Sequence, residues 1–422
     1  MRVLWFTTTP SLGATFLNHR DVGCSWVESL ESSLTKLDDI ELAIAFSWSG
    51  ENVQPFKTNK TWYYPIPLKP LKGKFRKLYS RWSHKIAIGE NVQQYSKIVK
   101  EFSPDVIHIF GTENDYGMVI PEVDVPCVIH IQGNLIIYNH KWYSGLTKDD
   151  VFKYSKKWWL LKGHGLFHTY FTFKKAAERE RIIFKNSRYF AGRTDWDRRL
   201  TFILSPDAEY FHCDELMRPV FYSQLWRQRS EQKQYTIISV IRNAIYKGLE
   251  TVYESKKILN QRFPELSITW KIVGIDKEDE IAYLVRRKYD ALYETTGIQL
   301  LGALQENKLL NEMLSADLFV HPSHIENSPN SLCEAMLLGM PAVATFAGGV
   351  SSLLTDKKEG ILVQDGDPYS LAGAVAELIT ERDYANSLGV NARKRAIARH
   401  DPDKIVSEVL NIYSSVLSKK TK

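Results

Sequence analysis

Two glutamates, Glu326 and Glu334, stand close together in one stretch of the chain, and their surroundings suit them to ligand binding. A short apolar strand is predicted directly before this stretch, and a helix is predicted to open within it. Phosphate groups are favoured at the first backbone N–H groups of a helix, which here belong to Asn330, Ser331 and Leu332. Carboxylates accept hydrogen bonds from sugar hydroxyls. Acids beside phosphate-binding amides therefore indicate a nucleotide sugar as the ligand.

Two cations, Arg242 and Lys247, follow a predicted strand at 236–240 and suit the chemistry of such a ligand. A nucleotide sugar loses its diphosphate as the glycosidic bond breaks, so negative charge develops on the leaving group. Arginine offers a planar fork to two phosphate oxygens, and lysine offers a compact charge. Because preorganised charge at a developing anion is commonly worth a few kcal/mol per group, we expect no metal and no separate cofactor.

These segments resemble the retaining glycosyltransferases of family 4. Residues 326–334 match the E-x7-E signature in its E-x-x-P-N-x-x-x-E form, and residues 241–248 are similar to G-R-x4-K-G, with Ile241 in place of the usual glycine. Leu304 lies in a turn that resembles the base-binding turn of the family. The tail from Gly348 to 367 is similar to G-G…G-x-L-V…G-D, although serines stand where the family has a glutamate after the paired glycines.

The resemblance implies a fold, a reaction and several residue roles. The fold class expected is α/β, of the GT-B type, with two Rossmann-like doubly wound parallel-sheet domains facing across a cleft. Glu334 would bind the ribose hydroxyls, and Glu326 would face the donor sugar near its anomeric carbon. Family members retain the anomeric configuration, with the acceptor attacking from the side of the leaving group. The resemblance is strong over roughly 235–400 and weak in the first half.

Fewer residues of the first half can be assigned. By the resemblance, His130, at the end of a predicted strand, would lie near the donor sugar, although a buried structural histidine is the alternative. Gly23 would let a helix N-terminus approach the diphosphate. His108 is expected to be structural, and so is the cluster of Arg193, Asp195 and Asp197.

Some pairs of acids and histidines suggest a metal site, but we expect none. Asp195 with Asp197, and Asp365 with Asp367, match the D-x-D pattern of metal-dependent GT-A glycosyltransferases. Such pairs arise often by chance, and their order relative to the other motifs does not fit that fold. The histidines near Glu326 follow a strand end and a proline, which is a poor arrangement for a metal.

Length and composition favour an ordinary two-domain protein. The chain has 422 residues, 44% hydrophobic and 25% charged, with a formal charge of +6. This charge is small for the length, so no nucleic-acid partner is expected. The scattered cysteines, the absence of a long apolar run and an N-terminus that enters directly into a strand indicate a cytoplasmic location.

Short apolar strands alternate with amphipathic helices through both halves, which is typical of parallel doubly wound sheets. Strands are predicted near 3–6, 40–46, 106–110, 128–131, 189–191, 236–240, 268–273, 318–320, 342–345 and 361–363. The predicted domains are an acceptor-side domain, a linker, a nucleotide-sugar domain and a helix returning toward the first domain, at 1–220, 221–234, 235–397 and 398–422.

Two segments, 67–85 and 156–175, interleave basic and aromatic residues. This composition suits a membrane surface with anionic headgroups, and it would place the chain at the inner face of a membrane. The alternative is a solvated basic helix whose aromatic residues serve the core.

The sequence therefore predicts a glycosyltransferase of the hexosyltransferase type. It would move a sugar from a nucleotide-diphosphate sugar to a glycan or lipid-linked acceptor, in the synthesis of surface polysaccharide or glycolipid. Two other readings stay open. The first is a GT-B-like epimerase or hydrolase of nucleotide sugars, and the second is a non-catalytic sugar- or membrane-binding relative.

Overall fold

The structure is a computed structural model, which describes residues 1–17, 26–50, 53–68, 73–229, 234–290 and 293–420. The chain divides into two compact units. Unit 1 comprises Met1–Asn139, Phe171–Leu216 and His400–Lys422, and unit 2 comprises His140–Tyr170 and Met217–Arg399.

Each unit contains one sheet. The strands of unit 1 are β1 (Arg2–Thr7), β2 (Glu41–Trp48), β3 (Phe56–Thr58), β4 (Thr61–Pro67), β5 (Val106–Phe110), β6 (Cys127–His130), β7 (Tyr189–Gly192) and β8 (Glu209–His212). The strands of unit 2 are β9 (Gln234–Val240), β10 (Ser267–Val273), β11 (Ile298–Gly302), β12 (Leu318–His321), β13 (Ala342–Thr345) and β14 (Ile361–Val363).

Helices connect these strands. In the first half they are α1 (Trp26–Leu34), α2 (Lys74–Trp82), α3 (Val92–Phe102), α4 (Leu135–His140), α5 (Lys148–Tyr154), α6 (Lys157–Leu161), α7 (Leu166–Asn186) and α8 (Asp195–Leu204). In the second half they are α9 (Pro219–Ser223), α10 (Leu249–Arg262), α11 (Glu280–Tyr289), α12 (Tyr293–Thr296), α13 (Glu306–Ser315), α14 (Asn330–Leu338), α15 (Pro368–Thr380), α16 (Arg382–Arg399) and α17 (Pro402–Lys420).

The two sheets share one topology. Unit 1 has the strand order β3-β4-β2-β1-β5-β6-β7-β8. Among its described strands, β3 and β4 pair antiparallel and the other neighbours pair parallel. Unit 2 has the order β11-β10-β9-β12-β13-β14, and its described neighbours pair parallel. The central strands of both sheets, such as β1, β5 and β12, are almost fully buried and consist largely of apolar residues. The order reverses between β9 and β12 in unit 2, and ligands of such sheets bind at this switch point, beyond the carboxyl ends of the strands.

The predicted strands are all present, but the predicted domain boundaries differ from the structural division. Residues 140–170, expected in the first domain, belong to unit 2. The described part of the expected linker is not a linker, because Phe221 and Trp226 are buried in the apolar core of unit 2. These segments pack there because burying their aromatic side chains removes apolar surface from water, which is favourable. The last helix, α17, lies in unit 1.

No helix in the described ranges is long and apolar enough to cross a membrane.

Candidate functional site

The loop after β9 carries Lys247 and is pressed against the loop after β12. Gly248 has a φ of +77°, and a Cβ at this position would lie 2.2 Å from the carbonyl oxygen of Pro322. The backbone N–H of His324 donates to the carbonyl of Tyr246 at 2.9 Å. Since a side chain at residue 248 would collide with the facing backbone, glycine is required for the two loops to approach.

This approach brings Lys247 and Glu326 together. The ammonium of Lys247 contacts the Glu326 carboxylate, and each side chain is 14% exposed. The two residues follow β9 and β12, which are paired in parallel. Their contact therefore lies at the switch point of the sheet, as expected for the carboxyl ends of neighbouring parallel strands.

Two glycines after β13 hold the backbone of Glu326 in place. The N–H of Gly349 donates to the carbonyl of Glu326 at 2.9 Å. Gly348 has a φ of +55°, and a Cβ there would lie 2.0 Å from the same oxygen. The paired glycines thus position the carboxylate through its main chain.

His321, at the end of β12, lies beside this pair. Burial lowers the pKa of His321 to about 4, while the charge of Glu326 works in the opposite direction. The imidazole is therefore neutral at physiological pH, and the Lys247–Glu326 pair has an uncharged neighbour.

The N-terminus of α14 offers part of the expected anion site. The helix begins at Asn330 after Pro329, and no side chain caps it. The N–H of Leu332, however, donates to the carbonyl of Pro329 at 3.0 Å. The first turn therefore tightens onto Pro329 and engages this N–H within the helix. Phosphate binding by the N–H groups of Asn330, Ser331 and Leu332 stays a prediction.

Glu334, one turn into α14, is held by an arginine that the sequence analysis missed. Both carboxylate oxygens of Glu334 accept hydrogen bonds from Arg218, each at 2.7 Å, and Glu334 is 4% exposed. Burial raises the pKa of Glu334, and the Arg218 guanidinium acts against this rise. Arg218 also lies 3.9 Å from Glu306, at the start of α13. Its position beside Pro219, before a helix start, carried no sequence signal for such a role.

Arg242 and Leu304 lie after β9 and β11 respectively. The side chain of Arg242 is exposed, and it has no ion-pair partner among the residues that the structure describes. Leu304 is half-buried and packs against the core of unit 2. Ile241, which replaces the usual glycine, is buried.

A further charged cluster surrounds His324, two residues before Glu326. Its Nε2 lies 2.5 Å from Glu250 Oε1, and its Nδ1 lies 3.6 Å from Asp365. Although burial opposes the charge, hydrogen bonds to Asp365 and Glu250 raise the pKa of His324 to about 9. The cluster ties the start of α10 and the loop after β14 to the loop that carries Glu326.

The candidates of unit 1 lie in its core. His130, at the end of β6, is fully buried and stacks on His108, with ring centroids 5.4 Å apart. Burial lowers the pKa of His130 well below its usual range. The ring of His108 lies 2.7 Å from the Tyr413 hydroxyl, so its environment is that of a core histidine. The proximity of His130 to a donor sugar stays a prediction, and Gly23 lies outside the described residues.

The D-x-D matches serve helix starts and ion pairs. Asp197 forms a capping box with Thr194 at the start of α8, and Asp367 caps α15. Arg193 forms a buried ion pair with Glu215. Asp365 lies 3.4 Å from Lys141 and also contacts His324. Within the described ranges, no group of three or more His, Cys, Asp or Glu side chains is placed to hold a metal ion.

Comparison with known proteins gives the context for this geometry. Residues 223–395 match the family model described as "Glycosyl transferases group 1". The GDP-mannose-dependent alpha-mannosyltransferase of Mycolicibacterium smegmatis is 34% identical over 121 residues, which cover 28% of this chain and 31% of that protein. The leading curated relatives are matched over 26% to 44% of their own length.

The likeness to solved structures extends over nearly the whole chain. Sucrose-phosphate synthase from Thermosynechococcus elongatus superposes with a TM-score of 0.72 at 14% identity, covering 99% of this chain and 100% of that one. The Anabaena protein HepE in complex with UDP and glucose gives 0.63 at 15% identity, over 98% and 100%.

At these identities the likeness concerns the fold, and it confirms the expected fold class, α/β of the GT-B type with two Rossmann-like parallel sheets. The residues that match the glycosyl transferases group 1 model all lie in unit 2.

Proposed function

We propose that this chain is a retaining glycosyltransferase that needs no metal ion. It moves a sugar from a nucleotide-diphosphate sugar to a glycan or lipid-linked acceptor. The observation that carries the proposal is the contact of Lys247 with Glu326 at the switch point of the unit 2 sheet. A cation for the diphosphate and a carboxylate for the sugar are thereby side by side, as the breaking bond between sugar and phosphate requires.

The cations of the site act on the leaving group. Arg242, whose side chain is exposed, and Lys247 would bind the diphosphate and stabilise the charge that develops on it. The N–H groups of Asn330 and Ser331 add helix-terminal donors for the same anion. Because cations and amides together offset this charge, the mechanism has no step that calls for a metal.

Glu326 orients the donor sugar in this mechanism. Its carboxylate is engaged by Lys247 and its main chain by Gly349, which supports a positioning role rather than a nucleophilic one. A double displacement would need a carboxylate free to attack the anomeric carbon. We therefore propose that the acceptor hydroxyl attacks from the side of the leaving group, and that the donor phosphate accepts its proton.

The nucleoside is held one turn further along α14, at Glu334. Glu334 would accept hydrogen bonds from the ribose hydroxyls through lone pairs that Arg218 leaves available, since each carboxylate oxygen has two acceptor positions. The turn that carries Leu304 would lie against the base.

The direct test measures release of nucleoside diphosphate from a panel of nucleotide sugars, with and without candidate acceptors. We expect Lys247→Ala and Glu326→Ala each to lower kcat at least about 100-fold, as loss of a preorganised charge does. The matched control is Lys271→Ala, which breaks a partly buried Lys271–Glu312 pair of 2.6 Å elsewhere in unit 2. The control should keep its activity.

Three outcomes would count against the proposal. Full activity of Lys247→Ala or Glu326→Ala would remove the assigned roles. Equal turnover in the absence of any acceptor would favour a nucleotide-sugar hydrolase or epimerase instead. Loss of activity on chelation, restored by a divalent cation, would contradict metal independence.

The lipid-linked acceptor and the membrane contact rest on α2. This helix has no buried residue, and it exposes Phe75 at 88% and Tyr79 at 75%. Its Lys74–Trp82 sequence has basic residues and no acidic one. Exposed aromatic side chains beside basic ones suit the interface of an anionic bilayer. We therefore propose that α2 docks on a membrane, where a surface polysaccharide or glycolipid would be built.

Sedimentation with phosphatidylcholine vesicles, with and without phosphatidylglycerol, tests this contact. We expect binding only to the anionic vesicles, and a marked loss for Phe75→Ser/Tyr79→Ser. Phe202→Ser is a matched control, because Phe202 is 68% exposed on α8 of the same unit. Equal binding by both variants would contradict a role for α2.

A further inference from the structure

An open groove of about 380 Å³ lies in unit 2 beside Asn243, the residue that follows Arg242. One wall comes from the α6 region and the other from the loops after β9 and β10. Its lining residues are Trp158, Trp159, His164, Gly165, Asn243, Glu278, Asp279 and Glu280. The volume falls within the range of roughly 300–1,000 Å³ that small-molecule sites occupy.

Glu280 fastens the aromatic wall to the rest of the unit. Its carboxylate accepts hydrogen bonds from the Ser155 hydroxyl at 3.0 Å and from the Leu166 N–H at 2.6 Å. These two residues flank α6, so one buried carboxylate holds both ends of the segment that carries the tryptophans. Gly165 has a φ of +91°, and a Cβ there would lie 2.6 Å from the same carboxylate. The wall is thus fixed by specific contacts rather than loosely attached.

The two tryptophans differ in their surroundings. Trp159 packs edge-on against Tyr283, at 6.0 Å between ring centroids, and Lys156 lies over both rings. Trp158 is 50% exposed and has Lys162 over one face of its ring, 5.0 Å from the centroid. Trp159 therefore anchors the segment, whereas Trp158 presents an indole to solvent at the groove.

The opposite wall is polar and acidic. Asn243 donates to Asp279 at 3.1 Å, and Glu278 is exposed. An aromatic ring opposite carboxylates and an amide matches a pyranose, whose C–H face packs on the ring while its hydroxyls donate to the carboxylates. Anionic lipid headgroups fit this groove poorly, because Glu278 and Asp279 would repel a phosphate there.

We infer that this groove is a glycan subsite for the acceptor, with Trp158 as its stacking platform and Glu278 as a hydroxyl acceptor. The inference rests on the proposed transferase function, and it deepens that function by naming a hydroxyl-rich, uncharged glycan as the acceptor class. The chain connects the subsite to the donor cations, since Asn243 directly follows Arg242. The segment 156–175 was expected to meet a membrane, and in this assignment its residues from Trp158 to Gly165 contribute to a sugar site.

The test probes an array of defined, lipid-free oligosaccharides with the full chain in the presence of UDP and GDP. We expect the unmodified chain to bind a subset of glycans, and Trp158→Ala to bind them at least tenfold more weakly, which corresponds to about 1.4 kcal/mol. Glu278→Gln should weaken the binding of the same glycans. The matched control is Leu161→Ala, which removes a 72% exposed side chain from α6 outside the groove lining, and which should bind normally.

Several outcomes would overturn the inference. They are the absence of glycan binding by the unmodified chain, unchanged binding by Trp158→Ala, and equal weakening by Leu161→Ala. Nucleotide-sugar binding is measured separately as a rise in melting temperature. It distinguishes failure of the glycan-subsite inference from failure of the proposed function. Trp158→Ala should keep that rise, whereas a chain without any donor-induced rise would contradict the transferase proposal and leave the glycan result intact.

Discussion

Lys247, Glu334 and His324 each lie in a buried or nearly buried position opposite groups of the other charge. Isolated charges in such positions would cost several kcal/mol, so each needs its partner. The partners come from elsewhere in unit 2, and they include Arg218 and Glu250. The charges that would meet a donor are therefore held in fixed geometry before it binds, which limits the reorganisation required during the reaction.

His324 makes the stability of the protein depend on pH. Its pKa of about 9 lies above the ordinary value of 6.5, so the folded state binds more protons between these values than the unfolded state. The stabilisation is fully present below about pH 6.5, and it is lost as the pH rises through about 9. We expect His324→Gln to remove this pH-dependent contribution to the free energy of unfolding, which amounts to at most about 3 kcal/mol.

Melting temperatures measured from about pH 6 to about pH 10 check this expectation, because this range spans both the ordinary and the raised pKa of His324. His140→Gln, at an exposed histidine of the same unit, is the control and should keep the original profile. If His324→Gln had the same pH profile of melting temperature as the unmodified chain, His324 would not be the group that makes stability depend on pH.

Arg218 is expected to matter for stability as well as for the proposed nucleotide site. Arg218→Ala leaves Glu334 buried without its partner, and breaking a buried pair in this way costs about 3–5 kcal/mol. Urea unfolding followed by circular dichroism measures the loss. The double variant Arg218→Met/Glu334→Leu should recover most of the stability but not the binding of nucleotide sugars. If the single variant were as stable as the original chain, the pair would be energetically unimportant.

At the scale of elements, the site depends on how closely two loops approach at the carboxyl ends of β9 and β12. The approach is possible because Gly248 has no side chain that would meet the carbonyl of Pro322. Likewise, Gly348 can lie against the carbonyl of Glu326 because it has no side chain. The loops themselves are tied by the backbone hydrogen bond from His324 to Tyr246. The spacing between Lys247 and Glu326 is therefore a property of the packed loops rather than of either loop alone.

Gly248→Ala tests this dependence. The added methyl group would meet the carbonyl of Pro322, and the backbone would have to leave its left-handed conformation. We expect a loss of roughly 1–3 kcal/mol in stability and a larger loss in kcat/KM, because Lys247 would move relative to Glu326. Gly373→Ala is the matched control, since a Cβ in that helical position meets nothing within 4 Å. It should be neutral or stabilising by up to about 1 kcal/mol. A fully active Gly248→Ala would contradict the argument.

At the scale of the molecule, the chain passes between the two units more than once. Residues 140–170 leave the first half to pack in unit 2, and α17 follows unit 2 but lies in unit 1. In unit 1 the hydroxyl of Tyr413 accepts a hydrogen bond from Trp5 Nε1 at 3.1 Å, and Ile405 and Val409 join the core formed by β1 and α1. The core of unit 1 therefore includes α17, which follows unit 2 in the sequence.

Truncation after Asp401 should destabilise unit 1 selectively. Removal of α17 exposes the apolar core around β1 and leaves the Trp5 N–H without its acceptor. We expect hydrogen exchange to accelerate in β1 and β5 but to stay slow in β9 and β12. Truncation after Leu417 is the control. It keeps the buried residues of α17 and removes surface contacts of Ser418 and Lys419, such as the Lys419–Glu209 pair, and surface ion pairs contribute about 0–1 kcal/mol. Uniform acceleration in both units would contradict selective dependence.

The sequence by itself determined the class of fold and predicted the chemistry of the proposed donor site. Strongly apolar strands such as 106–110 and 318–320 were predictable, because strands buried on both faces are continuous apolar runs. Strands β3, β4, β8 and β11 were missed. Three of them, β3, β8 and β11, are edge strands with partly exposed residues and a weaker apolar pattern, and β4 contains prolines, which are unusual in strands. Arg242, Lys247, Glu326 and Glu334 were identified from local spacing.

Only the tertiary structure decided which groups share a position in space. The pairing of Arg218 with Glu334, the closure of the Leu332 amide onto Pro329, and the assignment of residues 140–170 to unit 2 arise from packing between segments distant in the chain. Local periodicity reports which face of an element is buried, but not against which partner, because the hydrophobic effect is non-directional. The groove beside Asn243 exists for the same reason, since its two walls are about a hundred residues apart.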